Sequence, residues 1–165
     1  MRDDVDVARL LAGAAKAVKG VNYCWLATTT EAGAIEARPM GRLLHDPGED
    51  EWTIRFVTDG RSRKATELRH GREVALVFQD DPAEAYVVLK GRAALRPDAA
   101  EVRRRWKPGY DVYFPREEDR ASALFVEIAV ERMSLWIRGV TSEPFGLQTT
   151  RLERDPVTGW RMARG

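Results

Sequence analysis

Along the middle of the chain, large apolar side chains alternate with polar ones at every second position. In the run Trp52-Thr53-Ile54-Arg55-Phe56-Val57-Thr58, the residues Trp52, Ile54, Phe56 and Thr58 fall to one side and Thr53, Arg55 and Val57 to the other. That is the period of a strand, and the side chains are the β-branched, aromatic and long types that strands favour. The same reading predicts strands over 23–30, 35–44, 73–80, 85–95, 123–130 and 132–137, with Glu31-Ala32-Gly33 and Asp81-Pro82 as turns. Pro39 cannot donate to a ladder, so its strand is expected at an edge or a bulge. Gly91 inside 85–95 predicts a bulge or a barrel corner.

The period changes at the ends. Val7, Leu10, Leu11, Ala14 and Val18 recur at helical spacing, predicting a helix over 4–19 with Asp3 or Asp4 as its cap and Gly20 at its end. Pro97-Asp98 opens a second helix carrying Ala99, Ala100, Val102 and Trp106, which Lys107-Pro108-Gly109 stops. A charged loop is expected through Arg120, and a hairpin or loosely attached tail over 140–165, with Asp155-Pro156 at its turn. Many strands with few helices between them make the fold mainly β, an antiparallel barrel or sandwich with peripheral helices. One domain over 1–165 is expected, with its core at about 21–137.

Between two of these strands the pattern breaks into chemistry. Asp59-Gly60 ends the central strand, Ser62 can cap a short helix running from Arg63 to His70, and Gly71 can terminate it. Arg63 and Lys64 lie in the first turn, where the unpaired N–H groups already make the field positive. Cations placed there are uncomfortable unless an anion joins them, and a phosphate would accept from Arg63 as a fork and Lys64 as a point charge. Thr58 and Ser62 add hydroxyls, and both cations are expected to be exposed when no anion is bound. Taken alone, S-R-K is a short motif that also fits a solvated helix.

Composition narrows the partners. Lys and Arg number 27 against 26 Asp and Glu, a formal net charge of +1, so no global field gathers nucleic acid or anionic lipid. Cys24 is the single cysteine and His45 and His70 stand far apart, which predicts no internal disulfide and no metal site. Cys24 is expected to be buried and inert, and His45 solvated. The first twenty residues lack a long apolar stretch, so neither a secretion signal nor a membrane span is expected, and the reading is a cytoplasmic protein.

The order of these segments resembles the FMN-binding split-barrel superfamily, and within it the general stress protein branch related to pyridoxamine 5′-phosphate oxidase. The resemblance is carried by Ala37-Arg38-Pro39-Met40, Phe56-Val57-Thr58-Asp59 with Ser62-Arg63-Lys64, Val74 to Phe78 and Tyr86 to Ala93, together with Trp106-Lys107-Pro108, Tyr113-Phe114-Pro115 and Leu135-Trp136. It implies a split β-barrel of the antiparallel Greek-key type. It also implies that Arg63 and Lys64 bind the phosphate of FMN, or of FAD, with Ser62, Val57 and Thr58 at the same end. Arg38, Pro39 and Met40 would run along the flavin ring, with Gln79 facing it. A homodimer with flavin at its interface is implied, to which Trp106, Tyr113, Phe114 and Trp136 could come from the second protomer.

Departures from that pattern bear on activity. Leu43 or Leu44 stands where the oxidases carry a lysine, Ala85 and Tyr86 stand where they carry Arg-Gln, and no arginine-rich clamp for pyridoxal phosphate is found. Vitamin oxidase activity is therefore not expected. Three functions remain: a flavin-dependent oxidoreductase acting on a small molecule, a flavin-binding or sequestering protein, and a flavin-free oligomeric interaction protein. No catalytic residue is assigned.

Overall fold

The computed structural model describes residues 2–69 and 73–164, with the side chains of residues 2–5 set aside. Its strands, β1 (Tyr23–Thr29), β2 (Ile35–Gly41), β3 (Thr53–Asp59), β4 (Glu73–Asp80), β5 (Ala85–Arg96), β6 (Ala123–Ile137), β7 (Thr150–Asp155) and β8 (Gly159–Met162), join in one eight-stranded sheet. The path runs β2-β1-β4-β5-β6-β7-β8, and every pairing is antiparallel. β3 leaves this path to pair with the first half of β6, from Thr53 opposite Ala129 to Asp59 opposite Ala123. The mainly β architecture with an antiparallel split barrel is thus the one expected.

Alternation does its predicted work in the core. Trp52, Ile54, Phe56 and Thr58 are all buried, with Leu26, Leu76, Phe78, Val87, Leu89, Ile128 and Leu135 around them. Each of the larger side chains contributes about 2 kcal/mol by leaving water. The first helix, α1 (Arg2–Lys19), adds Val7, Leu10, Ala14, Ala17 and Val18 to the same core. It begins at Arg2, before either aspartate expected to cap it, and those aspartates' side chains lie outside the described set.

Several boundaries differ from the sequence reading, each for a local reason. β6 is one strand of 15 residues, not two, because the ladder with β5 passes from Val130 to Arg132 over a bulge that skips Glu131, leaving both charged side chains exposed. The charged loop contains a helix, α4 (Glu117–Ser122), whose Asp119 closes a capping box with Arg116. The second helix (α3, Ala99–Arg104) opens after Pro97-Asp98 as predicted, with Asp98 as its cap, but ends before Trp106, and a 3-10 turn, Pro108–Val112, follows. The tail hairpin forms and is tied down, since β7 pairs with β6 from Arg132 to Leu135. The short helix after β3, α2 (Arg63–Leu68), has Arg69 as its C-cap, and the predicted ending at His70 and Gly71 lies outside the described residues.

Candidate functional site

β2 lies at the edge of the sheet, as Pro39 requires, and is held only by β1. Its side chains alternate, so Arg38 and Met40 turn to the inner side while Pro39 turns out. Opposite them, β1 sends Cys24, Leu26 and Thr28 inward and Tyr23 and Trp25 outward. α2 packs beneath that inner edge and brings Lys64 and Glu67 up to it.

A small charged cluster results. The Lys64 ammonium lies 3.4 Å from the Met40 sulfur and has no carboxylate within ion-pair distance among the described residues. Arg38 Nη2 donates to Thr28 Oγ1 at 3.0 Å, and Thr28 in turn donates to Glu67 Oε2 at 3.2 Å. Arg38 also faces the carboxylates of Glu36 and Glu67, each at 3.5 Å, and its Nη1 is buried without a partner. Burial first, and the charge of Arg38 second, hold the Lys64 amine below its ordinary value. Lys64 thus feels the charge of Arg38 without a carboxylate of its own, while Arg38 is shared with Glu36 and Glu67.

The rest of the basic turn is arranged differently. Ser62 spends its oxygen capping α2, accepting from Ala65 N at 3.1 Å. Arg61 is neutralised by Asp59 at 2.9 Å and Asp119 at 2.8 Å. Arg63 reaches into solvent, its side chain 81% exposed, with Glu67 at 3.7 Å four residues on. The expectation that both Arg63 and Lys64 are exposed is thus met by Arg63 alone. Lys64 is partly withdrawn because its stem lies along Met40, which is itself buried.

The residues singled out from the sequence fall into three places. Arg38, Met40 and Lys64 gather at the inner edge of β2; Ser62 and Arg63 precede Lys64 on the turn that opens α2, and Thr58 is buried at the end of β3 just before that turn. Pro39, Gln79 and Trp136 lie on the opposite, outer side of the sheet. There Pro39 is across from Trp25 and Trp25 from Val77, while Gln79 is across from Tyr86 and Tyr86 from Trp136. Gln79 is held by its amide nitrogen, which donates to Asp81 at 2.9 Å, and Tyr86 donates to the same carboxylate. Val57 and Trp106 pack on a separate cluster of Leu43, Val102, Phe114, Ala123 and Phe125. Trp106 meets Tyr110 and Phe114 edge-on at 5.4 Å and donates to Asp111.

Thr28 and Glu67 were not legible as site residues. They are thirty-nine positions apart and meet only because α2 folds under β1. His45, expected to be solvated, is partly buried and bonds the Thr53 carbonyl at 2.8 Å through Nε2. Cys24 is buried as expected, its thiol pushed up to about 12 chiefly by desolvation. Two clefts, of about 430 and 210 Å³, open elsewhere: between α1 and the 140–150 segment, and among Arg55, Arg105 and Glu127. Among the described residues, no helix is long and apolar enough to cross a membrane.

Comparison with known proteins bears on this arrangement. A profile of the family described as pyridoxamine 5′-phosphate oxidase like matches residues 11–150. A pyridoxine/pyridoxamine 5′-phosphate oxidase of Burkholderia thailandensis is 39% identical over 71 residues, 43% of this chain and 31% of that protein, so the matched stretch spans about a third of the relative's length. Among solved structures, a protein of Clostridium acetobutylicum related to general stress protein 26 superposes with a TM-score of 0.69 at 20% identity, covering 87% of this chain and 93% of its own. The general stress FMN/FAD binding protein of Xanthomonas citri superposes with a TM-score of 0.61 at 21% identity, covering 81% and 92%. Both structural likenesses concern the fold.

Proposed function

From a chain that belongs to the pyridoxamine 5′-phosphate oxidase like family, we propose a flavin-binding protein that holds the phosphate of FMN at the inner edge of β2 and acts as a flavin-dependent oxidoreductase on a small molecule. The observation that carries this reading is the Lys64 ammonium. It is partly buried without a carboxylate, beside an Arg38 guanidinium with an orphaned buried nitrogen. A partly buried ammonium without a carboxylate partner is stabilised when a dianion arrives, because charge-assisted hydrogen bonds are each worth about 1.5–3 kcal/mol. The residues present therefore fit a phosphate. FAD presents a phosphate too, and the Xanthomonas relative is described as binding FMN or FAD.

In this reading Lys64 and Arg38 neutralise the phosphate, Arg63 guards its solvent side, and Ser62 keeps the turn in shape by capping α2. Pro39, Gln79 and Trp136 point away from that edge, so they meet a flavin only when a second copy is docked. The outer side is suited to that role: Tyr23 is 64% exposed, Trp25 50% and Ile35 77%, an apolar surface rarely left to water. We therefore place the flavin at the interface of a homodimer. When bound, the flavin supplies the hydride and electron chemistry, and the protein orients and shields it. Pyridoxamine phosphate oxidation is not proposed, because Ala85 is buried and the Tyr86 hydroxyl is engaged by Asp81.

Titration with FMN and with riboflavin, followed by flavin fluorescence, tests the reading. FMN is expected to bind at least about tenfold more tightly, the share of the phosphate. Equal affinities would remove the phosphate site. Anaerobic addition of NADH or NADPH then decides the activity: bleaching of the bound flavin supports an oxidoreductase, and a spectrum unmoved by either donor favours a binding or sequestering role.

A further inference from the structure

We infer that Glu67, through the Thr28 hydroxyl and its own contact with Arg38 Nη2, is the positioning residue that decides which nitrogens of Arg38 are left for the anion. The inference rests on the phosphate reading above and adds to it a control element from α2 and β1. A carboxylate beside a phosphate site looks like an error, since it repels the ligand. Its geometry gives it another task.

Thr28 has one hydroxyl hydrogen and donates it to Glu67 Oε2 at 3.2 Å. The lone pairs of Thr28 Oγ1 are thereby turned to Arg38, whose Nη2 donates to that oxygen at 3.0 Å. With Nη2 engaged, Nη1 is the buried guanidinium nitrogen without a partner, and Lys64 is the cation close enough to feel its charge. Nη1 is left to face the anion, while the Glu36 and Glu67 carboxylates, each 3.5 Å from the same Nη2, hold that nitrogen together with Thr28. Glu67 is well placed to hold it, because its own side chain is only 10% exposed and Arg63 faces its other oxygen at 3.7 Å. Lys64, Glu67 and Arg63 stand three and four residues apart on α2, so one turn of helix delivers all three to the edge of β2.

Without Glu67, the Thr28 hydrogen is free to rotate toward Arg38, and the guanidinium also loses the carboxylate 3.5 Å from its Nη2. Carboxylate removal should then weaken anion binding, the reverse of what simple charge repulsion gives. Glu67→Ala is expected to lower the affinity for FMN about tenfold, with riboflavin unaffected, the scale of one lost hydrogen bond to a charged group. Glu67→Gln keeps an acceptor for Thr28 and should stay within about twofold of the parent protein. Because Glu67 also meets Arg38 Nη2 directly at 3.5 Å, Thr28→Val should give a smaller loss in the same direction, and the double variant Thr28→Val/Glu67→Ala should cost no more than Glu67→Ala alone.

Thermal melts on each variant confirm that the barrel is folded, and the comparison of FMN with riboflavin removes general destabilisation from the result. Tighter FMN binding in Glu67→Ala would show that the carboxylate merely repels, and additive losses in the double variant would show that Thr28 and Glu67 act separately. Either result overturns the inference while leaving the phosphate site standing. A parent protein that binds FMN no better than riboflavin overturns both.

Discussion

Lys64 and Arg63 are neighbours in the chain and differ in the molecule. Arg63 is extended into solvent, whereas the Lys64 ammonium is already partly withdrawn against Met40. A cation that has given up part of its hydration gains more from an arriving anion than one still solvated, because the local dielectric is lower. Lys64→Ala is therefore expected to weaken FMN binding by roughly tenfold or more and Arg63→Ala by only about threefold. Fluorescence titration reads both, and a larger loss in Arg63→Ala would contradict the assignment. The depressed amine of Lys64 adds a pH signature. Burial and Arg38 lower it below 10.5, so in the window between its folded value and 10.5 the unfolded chain holds more protons and stability rises with pH. A bound phosphate favours the charged amine, so binding takes up a proton in that window and FMN affinity falls as pH rises through it. A parallel riboflavin titration subtracts the ionisation of the ring, and Lys64→Arg should abolish the remaining slope. Cys24 offers a simpler check: with its thiol raised to about 12 and buried, it should resist alkylation by iodoacetamide until the protein unfolds. Labelling of the native protein at the rate of a free thiol would place that strand differently.

At the scale of elements, the longest pairing in the sheet turns on one glycine. The register of β5 against β6 shifts between Lys90 and Gly91, and a Cβ at Gly91 would stand 2.0 Å from the Ala129 carbonyl oxygen. That neighbour is backbone and cannot swing away, so Gly91→Ala should lower stability by about 3 kcal/mol or more. Urea denaturation measures it, and a loss under about 1 kcal/mol would mean that the bulge is not where the ladder shows it. The bulge, the edge position of Pro39 and the inward side of β3 were all legible, because each follows from the stereochemistry of a residue or from strict alternation. The helix opening at Pro97-Asp98 and the tail hairpin were legible for the same reason. What escaped was set by contacts distant in sequence. α4 is a six-residue helix whose Asp119 is bonded to Arg116 and to Arg61 from the other side of the turn, and its charges alone read as loop. β6 continues through Glu131-Arg132 because β5 and β7 flank it, information that a charged dipeptide does not carry. The candidate site shows the same division. Lys64 could be named in advance as a cation near an anion and Arg38 only as a neighbour of the flavin ring, through the resemblance, but Thr28 and Glu67 have no motif of their own. Only the packing of α2 under β1 makes them partners.

For the whole molecule, the two sides of the sheet have opposite tasks. The inner side is filled by the barrel core and, at its β2 edge, by the charged cluster. The outer side carries a row in which Pro39 faces Trp25, Trp25 faces Val77, Val77 faces Val88 and Val88 faces Ser134, largely apolar across five strands. Covering the exposed half of a tryptophan is worth on the order of 3 kcal/mol per protomer, and a twofold interface counts that gain twice. The placement of Gln79 and Trp136 on this side, away from Lys64, makes dimerisation and flavin binding one event in the proposed function. Trp25→Glu should therefore convert a dimer to a monomer in light scattering and weaken FMN binding in the same preparation, although Trp25 lies on the side of β1 opposite to Thr28. Val157→Glu is the matched control. Val157 is 91% exposed at the tip of the β7–β8 hairpin, so the same new charge should change neither assembly nor affinity. If Trp25→Glu stays dimeric with FMN affinity intact, the outer sheet is not the contact between copies, and the ring of the flavin must be met by residues of one chain alone. If it becomes monomeric and still binds FMN normally, dimerisation and binding are separate, and Gln79 and Trp136 drop out of the site while Arg38 and Lys64 remain.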